Sequence, residues 1–97
     1  MLRIKVARVQ GTSMLPQLND QDYVVAVGWP WLRLRPGQIV MILHPYLGLI
    51  IKRIFTVKHQ CYTLVGDHSS SISSEKIGWV RRSQIIGRVI FHIPKNA

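Results

Sequence analysis

The chain has one cysteine, four acidic residues and no long uninterrupted apolar run, and each shortage excludes a class of protein. Because Cys61 is alone, no intrachain disulfide can form, and the fold does not require an oxidising compartment. No stretch approaches the roughly eighteen apolar residues of a membrane-spanning helix, and the alternating N-terminus does not have the pattern of a signal peptide. We therefore expect a cytoplasmic chain without a membrane anchor.

The shortage of acidic residues leaves a strong positive charge. Thirteen Lys and Arg against four Asp and Glu give a formal net charge of +9, which favours anionic partners of any kind. The basic residues are scattered and no nucleic-acid-binding motif accompanies them, so nucleic acid is not the expected partner. The four histidines and one cysteine show no metal-ligand spacing, so no metal site is expected.

The hydrophobic pattern is typical of β-strands throughout. A chain of 97 residues has room for one small domain, and we expect residues 1–97 to form it. Short β-branched or alternating runs are separated by Gly, Pro, Asn, Asp and Ser. The runs cover residues 2–9, 22–28, 38–44, 49–57, 60–66 and 84–93. They predict an all-β domain, a coiled antiparallel sheet or open barrel with at most one short helical turn.

Ser13 follows the first predicted strand in the segment VQGTSMLPQL. Gly11 allows a tight turn before it, and Pro16 prevents a long helix after it, so its hydroxyl can be held at an exposed bend. One interpretation is a nucleophile. The alternative is a helix N-cap for the single turn that follows.

A nucleophilic serine needs a base, and the strand around Lys52 and Arg53 offers one. No order of serine, histidine and aspartate in the chain favours a catalytic triad. One of the two adjacent cations must point toward apolar neighbours, and a desolvated lysine can lose its proton near neutral pH whereas arginine cannot. Alternation alone does not decide which cation faces inward. The alternative for Lys52 is a solvated strand edge where its amine reaches water.

Three segments, residues 11–27, 37–57 and 65–91, resemble the successive boxes of the type I signal peptidase and LexA-like superfamily of Ser-Lys proteases. The matching motifs are Ser-Met-x-Pro, a Lys-Arg pair in an apolar strand, a Gly-Asp loop and a closing Gly-Arg-Val strand. The resemblance implies that Ser13 is the nucleophile, Lys52 the general base and Ser74 a hydroxyl that orients the lysine. It assigns the nucleophile turn and oxyanion site to Gly11, Thr12, Met14 and Pro16, with the backbone N–H of Ser13 as a donor, and the third box to Gly66, Asp67 and Gly78.

Three positions depart from the pattern of that superfamily. Ser73 and Glu75 replace the usual Asp and Arg of the third box, which puts the ion pairs of this loop in question. Gly11 stands where many signal peptidases have a hydroxyl that donates to the oxyanion. The loss of one such donor is worth about 3 kcal/mol, so the resemblance implies a slower enzyme.

The short length resembles the branch typified by the nickel-type superoxide dismutase maturation protease, which implies a precursor protein as substrate and no cofactor. Two alternatives remain at this stage. One is a non-catalytic binding module that keeps the fold and docks an anionic partner through its basic surface. The other is a signal peptidase-like enzyme at a membrane surface, which the loop containing Trp29, Trp31, Arg33 and Arg35 would contact peripherally. The same loop can instead line a substrate cleft or pack beneath a hairpin.

Overall fold

The computed structural model describes residues 1–11, 14–67 and 77–96. Within these ranges the chain is almost entirely β, which confirms the predicted class. The strands are β1 (Arg3–Arg8), β2 (Tyr23–Gly28), β3 (Ile39–His44), β4 (Gly48–Lys58), β5 (Cys61–Val65), β6 (Val80–Arg81) and β7 (Ile85–Ile93). A 3-10 turn, Arg82–Gln84, precedes β7. No helix in the described part of the chain is long and apolar enough to cross a membrane.

All seven strands belong to one unclosed sheet in the order β1-β2-β7-β3-β4-β5-β6, and every pair of neighbours is antiparallel. The last strand of the chain therefore lies between β2 and β3. Gly28 and Gly87 lie where β2 and β7 approach closely, and a Cβ at either position would collide with the backbone of the other strand. The Gly-Arg-Val motif noted in the sequence thus contains a glycine that the β2–β7 contact requires.

The sheet carries one hydrophobic cluster on each face. Adjacent residues of a strand point to opposite faces, and in β3 the buried Val40 belongs to one cluster while Met41 belongs to the other. The first cluster also receives residues from outside the sheet, namely Leu32, Leu34 and Ile77. The second cluster is completed by Val9, Met14 and Leu18 from the loop that joins β1 to β2. Each loop is thereby fixed to the sheet by its apolar side chains.

The edge strand β1 alternates apolar and basic residues as expected, but its apolar side is not buried. Ile4 is 63% exposed and Val6 is 56% exposed, while Arg3 and Lys5 are exposed on the opposite side. The residue of this strand that packs against a cluster is Ala7. The alternation in the sequence therefore predicted the strand correctly but did not indicate which of its faces is covered.

Candidate active site

Lys52 lies in the middle of β4 and is buried. Its side chain is only 4% exposed, and it shares its face of the strand with Ile54, which belongs to the first cluster. Val40 of β3 is its direct partner across the sheet and is fully buried. This burial lowers the pKa of the Lys52 amine from its ordinary value of 10.5, because an apolar environment disfavours the charged form. The alternative of a solvated strand edge is therefore wrong.

Arg53, the neighbour of Lys52, turns to the other side and forms an ion pair. Its Nε and Nη2 atoms donate hydrogen bonds of 2.8 and 2.7 Å to the two carboxylate oxygens of Asp67, and Nη1 donates to the Gly37 carbonyl at 2.6 Å. The hydrogen bonds to Asp67 raise the pKa of the guanidinium further above its ordinary value. The sequence question of which cation faces inward is thus answered: Lys52 is buried, and Arg53 has a carboxylate partner.

The Arg53–Asp67 pair also fixes the start of the third box. Gly66 directly follows β5, and Asp67 comes next, so the arginine holds the chain where it leaves the sheet. The positions that depart from the superfamily pattern, Ser73 and Glu75, lie outside the described residues, as does Ser74. The box nevertheless has an ion pair at its first residues, which the sequence analysis did not find. The signal available was an acidic residue just beyond the strand that pairs with β4.

The end of the third box is held by His44 at the end of β3. Its Nε2 atom lies 3.1 Å from the Ile77 carbonyl oxygen, and its Nδ1 accepts the backbone N–H groups of Tyr46 and Leu47 at 3.1 and 3.2 Å. These partners assign the neutral tautomer with hydrogen on Nε2, which donates to Ile77. Gly78 follows with a φ of 75°, a conformation that favours glycine. Both ends of the segment that contains Ser74 are therefore attached to strands β3 and β4.

The loop that contains Ser13 is closed at its base by backbone hydrogen bonds. The Val9 N–H donates to Asp22 O, and the Gln21 N–H donates to Val9 O, each at 2.7 Å. Gly11 has a φ of 85° and its N–H donates to Asp20 Oδ1 at 2.7 Å. Thr12 and Ser13 themselves lie outside the described residues. The residue before them is thus fixed in the conformation that the sequence analysis expected glycine to allow.

The other side of the same loop is anchored by Met14. Met14 is buried in the second cluster, and its carbonyl oxygen accepts the Leu18 N–H at 2.8 Å. Pro16 is exposed and is joined to Leu15 by a cis peptide bond. Residues 14–18 form one hydrogen-bonded turn and no longer helix. Whether Ser13 caps this turn stays a prediction, because Ser13 lies outside the described residues.

Asp22 fastens this loop to the end of the chain. Its buried carboxylate accepts the backbone N–H groups of Lys95 and Asn19 at 2.9 and 3.0 Å and contacts His92 Nε2 at 2.6 Å. These hydrogen bonds, that of Lys95 first and that of His92 next, lower the Asp22 pKa from 3.8 to about 2. Nothing in the sequence pattern indicates this group, because His92 and Lys95 lie 70 and 73 positions from Asp22.

The loop after β2 places its two tryptophans differently. Trp29 packs against the first cluster, whereas Trp31 is 83% exposed. Leu32 and Leu34 are buried, and Arg33 and Arg35 between and after them are exposed. Arg82 fixes the loop by donating through Nη2 to the carbonyl oxygens of Trp29 and Leu32. The packing interpretation thus holds for Trp29, and contact with a membrane or substrate stays a prediction for Trp31.

Comparison with known proteins gives one family. A family model described as Peptidase S24-like matches residues 3–90, from the first residue of β1 into β7. The matched range contains the loop of Ser13, the buried Lys52 and the third box. A search of curated proteins finds no significant match.

Proposed function

Because the chain belongs to the Peptidase S24-like family, we propose that it is a serine endopeptidase in which Ser13 is the nucleophile and Lys52 the general base. The observation that carries the proposal is the burial of Lys52 in β4 with a lowered pKa. A lysine placed in this way can be neutral near physiological pH, which a surface lysine is not. The proposal requires Ser13 Oγ to lie within hydrogen-bond reach of Lys52 Nζ.

The reaction follows from these roles. Neutral Lys52 takes the hydroxyl proton as Ser13 Oγ attacks the carbonyl carbon of the scissile peptide bond. Backbone N–H groups of the turn, with that of Ser13 among them, stabilise the oxyanion. The C–N bond then breaks, and the Lys52 ammonium returns the proton to the leaving amine. In the second half of the reaction, water attacks the acyl ester and gives a proton to the neutral Lys52 amine. The ester bond then breaks, the acid is released, and Lys52 returns the proton to Ser13 Oγ.

The substrate we propose is a precursor protein with an N-terminal extension. The support is the resemblance to the short branch of maturation proteases, which makes the nickel-type superoxide dismutase precursor the first substrate to test.

The third box supports the proposed role of Ser74 indirectly. Asp67 before Ser74 and Ile77 after it are hydrogen-bonded to β4 and β3, respectively. Ser74 would then donate its hydroxyl hydrogen to, or accept one from, the Lys52 amine.

Acylation by a small activated ester tests the dyad without knowledge of the substrate. The chain is incubated with p-nitrophenyl acetate, and the modified residue is located by peptide mass spectrometry. We expect acetyl at Ser13 in the wild type and in Lys58→Ala, and none at residue 13 in Ser13→Ala or Lys52→Ala. An acetyl-Ser13 that forms at the wild-type rate in Lys52→Ala would contradict the assignment of the base.

Cleavage of the precursor is then followed by intact mass. Ser13→Ala and Lys52→Ala should abolish it while melting cooperatively, and Lys58→Ala should retain it. His92→Ala tests whether the Asp22–His92 pair serves as base instead, and we expect cleavage to persist. If the wild type shows neither acylation nor cleavage of any precursor, the binding-module alternative replaces this proposal.

A further inference from the structure

The outer side of strands β1, β2 and β7 is an apolar surface without a cover in the described part of the chain. The register places Ile4 opposite Val27, Val6 opposite Val25, Val25 opposite Phe91 and Tyr23 opposite Ile93. Residues directly opposite in an antiparallel pair share a face. The β1–β2–β7 face therefore consists of Ile4, Val6, Val25, Val27, Phe91 and Ile93, of which Ile4 and Phe91 are 63% and 60% exposed.

The polar residues on this face are basic or aromatic. Arg88 lies opposite Val27, and Arg8 lies opposite Tyr23 with its guanidinium carbon 4.9 Å from the centre of the tyrosine ring. Arg3 and Lys5 point to the opposite side of β1 but are exposed beside this face, at the open edge of the sheet. A contiguous exposed apolar surface marks a contact with a membrane or with another protein. The two arginines on this face and the two cations at the adjoining edge favour an anionic occupant.

We infer that the β1–β2–β7 face docks on the surface of an anionic lipid bilayer. Apolar side chains interleaved with arginine bind such a surface through two additive terms, burial of apolar area and attraction to anionic headgroups. A second copy of the chain fits less well, since each copy carries a net charge of +9. Pairing of two β1 edges would also bring Arg3 and Lys5 close to the same cations of the other copy, and these like charges repel.

The acidic residues that the structure describes do not offset this charge. Asp22 is bonded to His92 and to the Lys95 backbone, Asp67 is paired with Arg53, and Asp20 accepts from Gly11 in the β1–β2 loop. None of the three occupies a position of the β1–β2–β7 face. The anionic groups that meet this surface must therefore come from the partner.

Docking in this way has a geometric consequence for Lys52. Opposite partners run in one row from Lys52 to Val40, Arg88, Val27 and Ile4, through strands β4, β3, β7, β2 and β1. Because neighbouring strands lie about 4.8 Å apart, Arg88 is about 10 Å from Lys52 along the sheet. The bilayer would contact the same side of the sheet that holds Lys52. The inference itself does not depend on catalysis.

Vesicle sedimentation tests the inference with the full chain. The probes are phosphatidylcholine vesicles with and without phosphatidylglycerol, and the variant is the double substitution Ile4→Ser with Phe91→Ser. Both positions are exposed, so the variant should melt like the wild type. We expect the wild type to bind the vesicles that contain phosphatidylglycerol, and the variant to partition about tenfold less because it buries less apolar area.

The matched control is Leu43→Ser with Phe55→Ser, which removes two comparably exposed apolar residues from β3 and β4. It should bind as the wild type does. If the Ile4/Phe91 variant binds as well as the wild type, the contact is purely electrostatic and the inference is overturned. If Trp31→Ser alone loses binding, the loop after β2 makes the contact and the inference is also overturned. A dimer in light scattering that the Ile4/Phe91 variant disperses would assign the face to a second copy. Wild-type chain that binds neither vesicle would overturn the inference in favour of an acidic protein.

Discussion

Lys52 and Arg53 are adjacent cations in one strand, and their surroundings give them different chemistry. Lys52 is surrounded by apolar partners, and the pKa of its amine falls because the charged form loses its hydration. Arg53 keeps its charge beside a carboxylate that accepts two of its N–H groups. Since arginine cannot be neutralised in a protein, exchanging the two residues would leave the buried position 52 without a group that can act as a base.

The buried amine makes folding stability depend on pH. The pKa of Lys52 in the folded chain lies below its ordinary value of 10.5, which applies to the unfolded chain. Between the two pKa values the unfolded chain therefore binds more protons than the folded chain. The free energy of unfolding therefore rises with pH across this window, by about 1.4 kcal/mol for each unit by which the pKa is lowered. We expect Lys52→Met to be more stable than the wild type at pH 6 and to lack the rise toward pH 10.

Urea unfolding of both proteins from pH 6 to pH 10 measures this difference. Lys58→Met is the control, because Lys58 is exposed at the end of β4 and its replacement should leave the rise intact. Parallel curves for the wild type and Lys52→Met would show that the amine is solvated and would remove the main support for the proposed dyad.

At the scale of the element, two strands hold the third box by its ends. Arg53 of β4 binds Asp67 at one end, and His44 of β3 binds the Ile77 carbonyl at the other. β3 and β4 are paired, with Lys52 opposite Val40 in the same ladder. The two contacts therefore attach the box to the strand that carries Lys52 and to its neighbour.

Two amide substitutions separate the functions of His44. In His44→Gln the amide nitrogen can replace Nε2 and donate to Ile77 O, whereas in His44→Asn the oxygen can replace Nδ1 and accept from Tyr46 and Leu47 but cannot reach Ile77. Each variant should lose about 1 kcal/mol of stability, since each keeps the hydrogen bonds of one ring nitrogen of His44 and loses those of the other. If His44 positions the box, kcat falls about tenfold in His44→Asn and recovers in His44→Gln, because small displacements of catalytic groups slow the reaction.

Steady-state cleavage at fixed pH, with KM and kcat measured separately, gives the result. An unchanged kcat in both variants would mean that His44 acts on stability alone, and an equal fall in both would mean that the bond to Ile77 does not position the box. The melting temperatures of the two variants provide the comparison that separates these outcomes.

At the scale of the whole molecule, Asp22 joins parts that are distant in the sequence. It connects the β1–β2 loop with β7 and with Lys95 beyond it. Its pKa is lowered from 3.8 to about 2, so its contribution to stability is fully present above pH 4 and is lost as the pH falls toward 2. The loop that contains Ser13 should therefore loosen in acid together with the end of the chain.

Thermal melting from pH 7 to pH 2 tests this link. We expect the wild type to lose stability steeply between pH 4 and pH 2, and Asp22→Asn to be less stable at pH 7 but to show a shallower fall. Asp20→Asn is the control, because its amide oxygen can still accept the Gly11 N–H. Equal acid dependence in the wild type and Asp22→Asn would assign the transition to another carboxylate.

The local pattern of the sequence was sufficient to predict the all-β class and six of the strands, because alternation and turn residues act over a few positions. It also singled out Ser13 and Lys52 as a possible nucleophile and base. The two-residue strand β6 was missed, since it is too short to show a period. The positions of Thr12, Ser13 and Ser74 lie outside the described residues, and their roles stay predictions.

Only the tertiary structure decided which side of each strand is covered. Alternation made Lys52 and Arg53 equivalent, and it made the apolar side of β1 look like a core face, because a period of two is the same whichever face is buried. The outcome depended on strand order: insertion of β7 between β2 and β3, loops packed on opposite faces, and an uncovered edge at β1. The contacts Asp22–His92 and Arg53–Asp67 have the same origin, since each joins residues at or beside paired strands. The contact His44–Ile77 arises because the loop that contains Ile77 packs on the sheet.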